Sequence, residues 1–447
     1  MQRTRVVIVG GGFAGYHTAK HLATYTDPNE TEIVLINPTD YFLYLPLLPE
    51  VASGILDPRA ISVPLPGAIP GVRFVLGEVT GVDPHRRELA YTDPEDNPGS
   101  MSFDRIVLAA GSVNKLLPIP GVATHGKGFR GVPEALYFRD HVTRQIELAA
   151  ASNDQQERDA RCTFVVVGAG YTGTEVAAQG PEFTAKLAQR HPELDGQRIR
   201  WLLLDVAERV LPTLDRRLSR TADSVLRERG VEVLTETSIG EASESGVTFQ
   251  DSGSFVPTRS LIWCVGVRPD PLVQGFGLAT QQGRLVVTDE LSVPDHPHVF
   301  ACGDAAAVPD PTRPGELTPM TAQHAVRQGT LAARNVAASL GRTTPSRYRH
   351  RDLGFVVDLG SGKAAANPLH IPMSGFLAKV VTRGYHLMAM PGNRVRVALD
   401  WLLDATSERQ LVQLGMVRSG TVPLDTESPE LPKLRPYRHQ QQVETGG

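Results

Sequence analysis

Two stretches of the chain, VVIVGGGFAG from Val6 and FVVVGAGYTG from Phe164, repeat one pattern of residues. Each is an apolar run followed by a glycine-rich loop and then by small residues at helical spacing. In such a loop the first glycine permits a tight turn, the second admits a pyrophosphate against the backbone, and the third lets helix pack on strand. The helix N-terminus binds phosphate through its unpaired N–H groups and its dipole. The pattern predicts two dinucleotide sites, at Gly10, Gly12 and Gly15 and at Gly168, Gly170 and Gly173.

The strand that follows each loop should end in a side chain that binds ribose hydroxyls. After the first loop, EIVLIN ends at Asn37, whose amide oxygen can accept a hydroxyl without the help of charge. After the second loop, IRWLLLD ends at Asp205, whose carboxylate accepts a 2′-hydroxyl and repels a 2′-phosphate. The second site is therefore predicted to bind NADH, although Arg209, four residues further on, leaves NADPH open.

Two further apolar strands end in residues that suit a bound flavin. IVLAAGS, Ile106–Ser112, ends in small residues that let the backbone approach a ligand, and HVFACGDAA, His298–Ala306, carries Asp304 near its tip. A carboxylate at the end of a buried strand needs a polar partner, and the ribityl hydroxyls of a flavin would provide one. The alternative is that Asp304 caps a helix or turn.

Composition and charge exclude several classes of protein. The chain has 447 residues, 41% of them hydrophobic and 21% charged, which is ordinary for a globular protein of two or three domains. A net charge of −4 gives no reason to expect a nucleic-acid partner. The three cysteines stand singly in predicted strands, which excludes a thiol-pair relay and favours a cytoplasmic location. No metal site, secretory signal or membrane-spanning stretch is predicted.

The chain resembles the type II NADH dehydrogenases, single-chain members of the two-dinucleotide-binding-domain flavoproteins. The resemblance runs from about residue 5 to about residue 415 and rests on motifs in a fixed order. The glycine and Gly-Asp motifs are general to the superfamily, whereas the PLLPEVASG, TAQHAVRQG and C-terminal segments narrow the match. The motifs are GGGFAG, YLPLLPEVASG, IVLAAGS, VVGAGYTGTE, LIWCVGVRPDPL, VFACGDAA and TAQHAVRQG.

The resemblance implies an α/β fold in which an NADH-binding domain is inserted into an FAD-binding domain, followed by a C-terminal α+β segment with amphipathic helices. It implies a tightly held, non-covalent FAD and NADH as co-substrate. The implied FAD-binding residues are Gly10, Gly12, Phe13, Ala14, Gly15, Asn37, Ala110, Gly111, Gly303 and Asp304. The implied NADH-binding residues are Gly168, Gly170, Tyr171, Thr172, Gly173, Glu175, Asp205 and Gly266. The expected segments are 1–150 and 285–342 for FAD, 151–284 for NADH, 343–416 for the acceptor or membrane, and 417–447 as a disordered tail.

Three residues are expected to act in the reaction. Glu175 matches the family position that holds or gates the nicotinamide, although an acidic residue near a helix start is also a simple partner for the dipole. Family members line the quinone site with two glutamines four residues apart, and here the first is Gln323 while the second is replaced by Arg327. Arg327 could bind a quinone carbonyl, select an acidic acceptor or form a salt bridge.

The segment 374–402 predicts two amphipathic helices. In the first, Leu377, Val381, Tyr385 and Met388 share one side, and Lys379, Arg383 and His386 gather on the other. In the second, the apolar stripe is Val395, Ala398, Leu399 and Leu402, with Trp401 near its edge. Such helices can lie in the headgroup layer of a membrane, or their apolar stripes can pack on the protein's own core or on a twin subunit.

The sequence is therefore expected to encode an NADH:quinone oxidoreductase that transfers two electrons without pumping protons. Its expected acceptor is a quinone or another small molecule. The protein is expected in the cytoplasm or peripherally on the cytoplasmic face of the membrane, and a homodimer is one expected assembly. Two alternatives remain: a soluble NADH-dependent reductase of a small redox protein or metabolite, and a flavin-bearing NADH sensor.

Overall fold

The protein is described by a computed structural model that covers residues 3–350, 354–360, 362–368, 371–426 and 431. The chain forms two compact units. Unit 1 comprises residues 1–48, 55–115 and 266–408, and unit 2 comprises residues 49–54, 116–265 and 409–447. Unit 2 thus interrupts unit 1 in the chain, as the prediction of an inserted domain requires.

The helices are numbered in chain order over the described residues. They are α1 (Phe13–Tyr25), α2 (Leu48–Ala52), α3 (Pro58–Ile61), α4 (Val122–His125), α5 (Val132–Ala151), α6 (Gln155–Arg161), α7 (Tyr171–Ala188), α8 (Arg216–Glu228), α9 (Ala322–Ser339), α10 (Gly375–Ala389) and α11 (Arg394–Thr406).

Unit 1 is built on a six-stranded sheet. Its strands in spatial order are Ser292–Val293, His296–Ala301, Arg105–Leu108, Thr4–Val9, Thr31–Asn37 and Val72–Leu76. All neighbours run parallel except the first pair. Val6, Val7 and Ile8 of the central strand are fully buried, as expected for a parallel sheet covered on both faces. The carboxyl ends of these strands place the first glycine loop, Asn37 and the Gly303–Asp304 turn at one edge.

Unit 1 also holds several short sheets. They are Glu78–Asp83 with Glu88–Thr92 and Pro98–Ser102; Tyr41–Leu43 with Ser62–Pro64; Ser112–Asn114 with Val267–Pro269; Thr280–Gln281 with Arg284–Val286 and Ala306–Ala307; and Val356–Asp358 with Ala364–Ala366 and Met373–Ser374. The last of these sheets packs with α10 and forms the predicted C-terminal α+β segment.

Unit 2 is built on a five-stranded, all-parallel sheet. Its strands in order are Gly126–Lys127, Ser260–Trp263, Thr163–Val167, Arg200–Leu204 and Val231–Leu234. A small antiparallel sheet, Ile239–Ala242 with Gly246–Phe249 and Phe255–Pro257, accompanies it. Every residue of the central strand Thr163–Val167 is buried, and four of the five are Val or Phe, which suit a sheet covered on both faces. The predicted α/β class with two parallel-sheet dinucleotide domains is confirmed.

The boundaries of the units differ from the predicted segments. Residues 116–150, expected in the FAD-binding domain, belong to unit 2, because α5 packs on α7 and the strand Gly126–Lys127 joins the unit 2 sheet. Residues 266–284, expected in the NADH-binding domain, belong to unit 1.

The prediction of a disordered tail from residue 417 is wrong for residues 417–426. Leu424 is 1% exposed and joins the unit 2 core beside Val122 and Trp263. Before it, the Asp140 carboxylate accepts the N–H of Gly415 at 2.6 Å. The tail remains a prediction for 427–430 and 432–447, which lie outside the described residues.

Candidate dinucleotide and acceptor sites

The glycines of the first loop differ in whether the protein leaves room for a side chain. Gly10 has φ +95°, and a Cβ built there would lie 2.3 Å from the carbonyl oxygen of Ala109. A Cβ on Gly15 would lie 1.8 Å from the carbonyl oxygen of Gly10. A Cβ on Gly12, by contrast, meets no protein atom within 4 Å. Gly10 and Gly15 are therefore required by close packing, while the backbone of Gly12 faces open space in which a pyrophosphate fits.

The second loop repeats this geometry within unit 2. A Cβ on Gly168 would lie 2.3 Å from the carbonyl oxygen of Cys264, and one on Gly173 would lie 1.9 Å from that of Gly168. Gly170 again meets no protein atom within 4 Å. The two loops thus have the same packed–open–packed order.

Each loop leads directly into a helix that the protein does not cap with a side chain. α1 begins at Phe13 after Gly12, and α7 begins at Tyr171 after Gly170; neither N-cap residue supplies a side-chain bond, and neither first turn contains an acidic residue. Four N–H groups at a helix start lack an intrahelical partner, so both starts suit a phosphate. The first-turn residues with predicted roles are Phe13, Ala14, Tyr171 and Thr172.

The side chains that end the second strands hold the glycine loops. Asn37 Oδ1 accepts the N–H of Gly11 at 2.7 Å, while its Nδ2 donates to the carbonyl oxygen of Thr39 at 2.8 Å. Asp205 Oδ2 accepts the N–H of Ala169 at 2.5 Å, and its Oδ1 accepts that of Ala207 at 2.8 Å. Both residues therefore fix loop shape in addition to any ribose contact, a role that the sequence alone did not reveal.

Arg209, the residue that left NADPH as an alternative cofactor in the sequence analysis, donates hydrogen bonds to backbone carbonyls of its own loop. Its Nη1 donates to the carbonyl oxygen of Leu214 at 2.9 Å and its Nη2 to that of Pro212 at 2.8 Å. A guanidinium held by two backbone carbonyls is not directed at a 2′-phosphate. This arrangement and the Asp205 carboxylate favour NADH.

The predicted FAD-binding residues of unit 1 come together around the Gly303–Asp304 turn. Ser112 Oγ donates to Asp304 Oδ2 at 2.5 Å. Gly303 has φ +70°, and its built Cβ would lie 2.8 Å from the Cβ of Ala14 in α1. Gly111 also has positive φ and faces open space, next to half-buried Ala110. Open backbone at Gly12 and Gly111, an uncapped helix start and the Asp304 carboxylate fit the phosphates and hydroxyls of FAD.

Gln328 is a site residue that sequence analysis missed. Its Oε1 accepts the N–H of Gly303 at 2.8 Å, and its Nε2 donates to Thr318 Oγ1 at 3.0 Å, with only 1% of the residue exposed. Gln328 thus fixes the Gly303–Asp304 turn and does not serve as the second glutamine of the acceptor pair. The sequence carried no local signal for this role, because the partners Gly303 and Thr318 lie 25 and 10 residues away in the chain.

The structure places two predicted NADH-site residues differently from expectation. Glu175 is half-buried and lies beyond the first turn of α7, where the helix dipole has weakened, so the dipole alternative loses support. Gly266 belongs to unit 1, where its carbonyl oxygen accepts the N–H of Lys115 at 3.1 Å. Within unit 2 the structure brings together the glycine loop, Tyr171, Thr172 and Asp205.

The acceptor pair lies on α9, which begins directly after Thr321. Gln323 Nε2 donates to the carbonyl oxygen of Gly354 at 2.5 Å. Arg327 Nη1 donates to the Gln323 carbonyl oxygen at 2.9 Å and to its Oε1 at 3.3 Å. Burial raises the pKa of Tyr385, and the nearby charge of Arg327 opposes that rise. Arg327 is therefore a positioned cation between α9 and α10 within unit 1.

The three thiols have the properties of packing residues. Burial raises the pKa of Cys162 to about 11 and those of Cys264 and Cys302 to about 12. All three are free cysteines, and thiols with raised pKa values are poor nucleophiles. Within the described ranges, no group of three His, Cys, Asp or Glu could hold a metal ion.

α10 and α11 expose their apolar residues. The polar side of α10 faces the protein: Lys379 and His386 are each 6% exposed and Thr382 is 1% exposed. The alternative in which the apolar stripes pack on the protein's own core is therefore wrong. In α10 and α11, the large apolar residues exposed by half or more are Phe376, Leu377, Val380, Met388, Val395, Leu399, Leu402 and Leu403. No helix in residues 3–350 or 371–426 is long and apolar enough to cross a bilayer.

Comparison with known proteins gives a consistent result. The family model for pyridine nucleotide-disulphide oxidoreductases matches residues 4–329. The chain is 30% identical over 430 residues to the type II NADH:quinone oxidoreductase Ndh of Mycobacterium tuberculosis, covering 92% of this chain and 89% of that protein. It is 30% identical over 409 residues to the demethylphylloquinone reductase NdbB of Synechocystis, covering 90% and 96%. In fold it resembles NDH2 from Plasmodium falciparum, solved in complex with NADH, with a TM-score of 0.84, 17% identity and coverage of 92% and 100%.

Proposed function

The chain belongs to the type II NADH:quinone oxidoreductases, and from that membership we infer that it is an FAD-dependent NADH dehydrogenase. It takes hydride from NADH and passes two electrons to a quinone without pumping protons. The observation that carries this inference is the pair of glycine loops with identical packing, each leading into an uncapped helix. The flavin, when bound, supplies the hydride-accepting chemistry, and the protein supplies binding and orientation.

We propose a role for each predicted site residue, supported by the loop geometry and contacts described above. Gly12, Phe13 and Ala14 receive the FAD pyrophosphate at the start of α1, while Asp304, set by Ser112 and Gln328, receives ribityl hydroxyls. In unit 2, Gly170, Tyr171 and Thr172 receive the NADH pyrophosphate and Asp205 the ribose. Glu175 holds the nicotinamide end of NADH. Gln323 and Arg327 face the quinone.

Rapid mixing tests this function directly. The purified holoenzyme should show a flavin absorbance that bleaches with NADH faster than with NADPH, and that returns on mixing with menaquinone or ubiquinone. Return with a small redox protein or a metabolite but with no quinone would support the soluble reductase instead. A reduced flavin that persists with every acceptor would support the sensor.

We further propose that the exposed apolar side of α10 and α11 lies in the headgroup layer at the cytoplasmic face of a membrane, where NADH and quinone are both accessible. Phe376 and Met388 of α10 are 75% and 80% exposed, and Val395 of α11 is 72% exposed. Patches of this kind mark membrane or protein contacts. Arg394 and Arg396 are exposed at the start of α11 and suit anionic lipid headgroups.

Liposome sedimentation and light scattering separate lipid from a twin subunit as the partner. Wild type should sediment with anionic vesicles, and Leu399→Asp/Leu402→Asp should remain in solution with its flavin content unchanged. A wild-type homodimer that the double variant converts to a monomer, without lipid binding, would assign the surface to a second copy of the chain.

A further inference from the structure

α10 is an amphipathic helix with its polar side turned inward. Lys379, Thr382 and His386 follow one another at helical spacing and are at most 6% exposed. Helices on globular proteins ordinarily bury the apolar side, and burying charged or polar groups is unfavourable unless they are paired. A stripe of ionisable groups held under a helix therefore points to a chemical role.

Lys379 and His386 of this buried side have partners in two other parts of unit 1. The Lys379 ammonium is paired with the Asp358 carboxylate, which also accepts the N–H of Gly360 at 2.8 Å. At the other end, His386 Nδ1 lies 3.1 Å from the hydroxyl of Tyr44. Tyr44 is 2% exposed, and its ring centroid lies 6.0 Å from that of Phe13, which begins α1. A buried Tyr–His pair thus joins the first glycine loop to α10.

Burial keeps both groups of this pair in proton-carrying neutral forms. Burial lowers the pKa of His386 to about 4, with Asp358 opposing and Lys379 reinforcing the shift. Burial raises the pKa of Tyr44, and Tyr385 adds to the rise. Tyr385 in turn lies in the field of Arg327. Arg383, the other cation of the helix, stacks over the Trp401 ring at 4.7 Å and lies apart from this chain of contacts.

The reaction inferred above requires a proton from solvent. NADH, one proton and a quinone give NAD⁺ and a quinol, so NADH supplies two electrons and one proton while the second proton must be delivered. Each electron pair that reaches the quinone is accompanied by the formation of two O–H bonds.

We propose that His386 and Tyr44 relay this second proton to the quinone, an inference that rests on the proposed quinone reduction. A proton from solvent binds at His386 Nε2, the Nδ1 proton passes to the Tyr44 oxygen, and the Tyr44 hydroxyl proton passes to the quinone oxygen. Both residues end neutral, and one proton has moved. Lys379 and Asp358 are positioning residues that hold the inward-facing side of α10 in place.

The test uses two electron acceptors that differ in their need for protons. Quinone takes up protons on reduction, whereas ferricyanide accepts single electrons and no proton. In stopped-flow experiments on the holoenzyme, Tyr44→Phe and His386→Asn should be reduced by NADH and reoxidised by ferricyanide at wild-type rates. Their reoxidation by quinone should slow by about a hundredfold or more, the lower end of what general acid catalysis contributes. His298→Asn, which alters another histidine of lowered pKa, should change neither rate.

The pH and solvent-isotope dependence provide a second readout. Because the imidazolium is scarce above pH 5, wild-type quinone reoxidation should fall as pH rises and should slow in D₂O. His386→Asn should lose most of both effects. Asn can still accept the Tyr44 hydroxyl at the Nδ1 position but cannot carry a proton, so a purely structural role would leave its profile like wild type.

Two outcomes would reject the relay. Quinone reoxidation of both variants at the wild-type rate shows that neither residue delivers the proton. Equal slowing with quinone and ferricyanide shows a structural effect. If His386→Asn does not retain flavin, Tyr44→Phe, which removes one oxygen, decides the result. A wild type that reduces ferricyanide but no quinone would instead overturn the proposed function itself.

Discussion

The carboxylate of Asp205 accepts the backbone N–H of Ala169 at 2.5 Å and thereby fixes the second glycine loop. Asn37 holds Gly11 of the first loop in the same way at 2.7 Å. In each dinucleotide-binding unit, the residue that ends the second strand therefore stabilises the conformation of the glycine loop by accepting one of its N–H groups. An acidic residue is not needed for that task, since the amide of Asn37 performs it.

Replacing Asp205 separates loop support from nucleotide recognition. Asp205→Asn keeps an acceptor for the Ala169 N–H and should leave the fold intact, while the loss of charge should narrow the preference for NADH over NADPH. Asp205→Ala removes the acceptor and should also destabilise the protein by about 1.5–3 kcal/mol, the range for bonds to charged groups. Steady-state kinetics with both nucleotides and urea unfolding measure the two effects. Equal kinetics for Asp205→Asn and wild type would contradict the recognition role.

Gln328 is predicted to be essential for retention of FAD. Gln328→Leu leaves the Gly303 N–H and Thr318 hydroxyl unsatisfied in a buried place, which should cost about 1–3 kcal/mol and loosen the Gly303–Asp304 turn. Flavin content after gel filtration should fall. Thr330→Val, on the same helix, removes only a hydroxyl bonded to the Val326 carbonyl and should retain full flavin. Full flavin in both variants would rule out this role.

Arg327 is predicted to tune the acceptor. Its guanidinium engages Gln323 Oε1, so Arg327→Gln frees that oxygen and removes a positive charge. Reoxidation by neutral quinones should speed up severalfold, whereas reoxidation by the anionic ferricyanide should slow, because its attraction to the site is lost. Reduction by NADH should not change. Changes of the same sign for both acceptors would show that charge is not the cause.

Removing one charge of the Lys379–Asp358 pair is predicted to destabilise the protein strongly, whereas removing both charges is predicted to destabilise it much less. Lys379→Met removes the cation that is paired with the buried Asp358 carboxylate and should destabilise the protein by about 3–5 kcal/mol. The double change Lys379→Met/Asp358→Asn removes both charges and should recover a large part of that loss. A double-mutant cycle in urea unfolding gives the coupling. Additive losses would show that the two charges do not interact.

Three histidines, of which His386 is buried and His17 and His141 are half-buried, predict acid lability. Burial lowers the pKa values of His17, His141 and His386 to about 4. The folded state therefore binds fewer protons than the unfolded state between pH 4 and the ordinary histidine value near 6.5. The stability they contribute is present above about pH 6.5 and is lost as pH falls to 4, by at most about 1.4 kcal/mol per pH unit for each group.

Thermal unfolding at half-unit pH steps measures this loss. His141→Asn should flatten the pH dependence between pH 6.5 and 4. A flat wild-type profile across this window would contradict the burial argument.

Local sequence was sufficient to predict the two dinucleotide loops. The need for glycine at Gly10 and Gly168 is set by a turn and by the carbonyl that approaches it, and both follow from the strand–loop–helix pattern. The place of Asp304 at the end of a buried strand was also predicted locally, from the apolar run that precedes it. The loop-supporting role of Asn37 and Asp205 was not, because an N–H partner across the loop is visible only in three dimensions.

Other features depended on partners distant in the chain. Gln328 contacts Gly303 and Thr318. Leu424 packs on a core whose other residues lie between Val122 and Trp263 in the chain. Neither position therefore carried a local signal. The expectation of an unfolded segment from residue 417 relied on proline-rich, polar composition and could not register Leu424 in the core of unit 2.

The sequence by itself determined which residues of α10 share a side, because helical periodicity groups Lys379 with His386 and Leu377 with Met388. Only the tertiary structure decided which side is buried. Periodicity fixes relative angles around a helix axis, whereas burial depends on the neighbours, here Tyr44 and Asp358, that meet one side of it. That choice turns a stripe of ionisable side chains toward the protein and leaves an apolar surface outside.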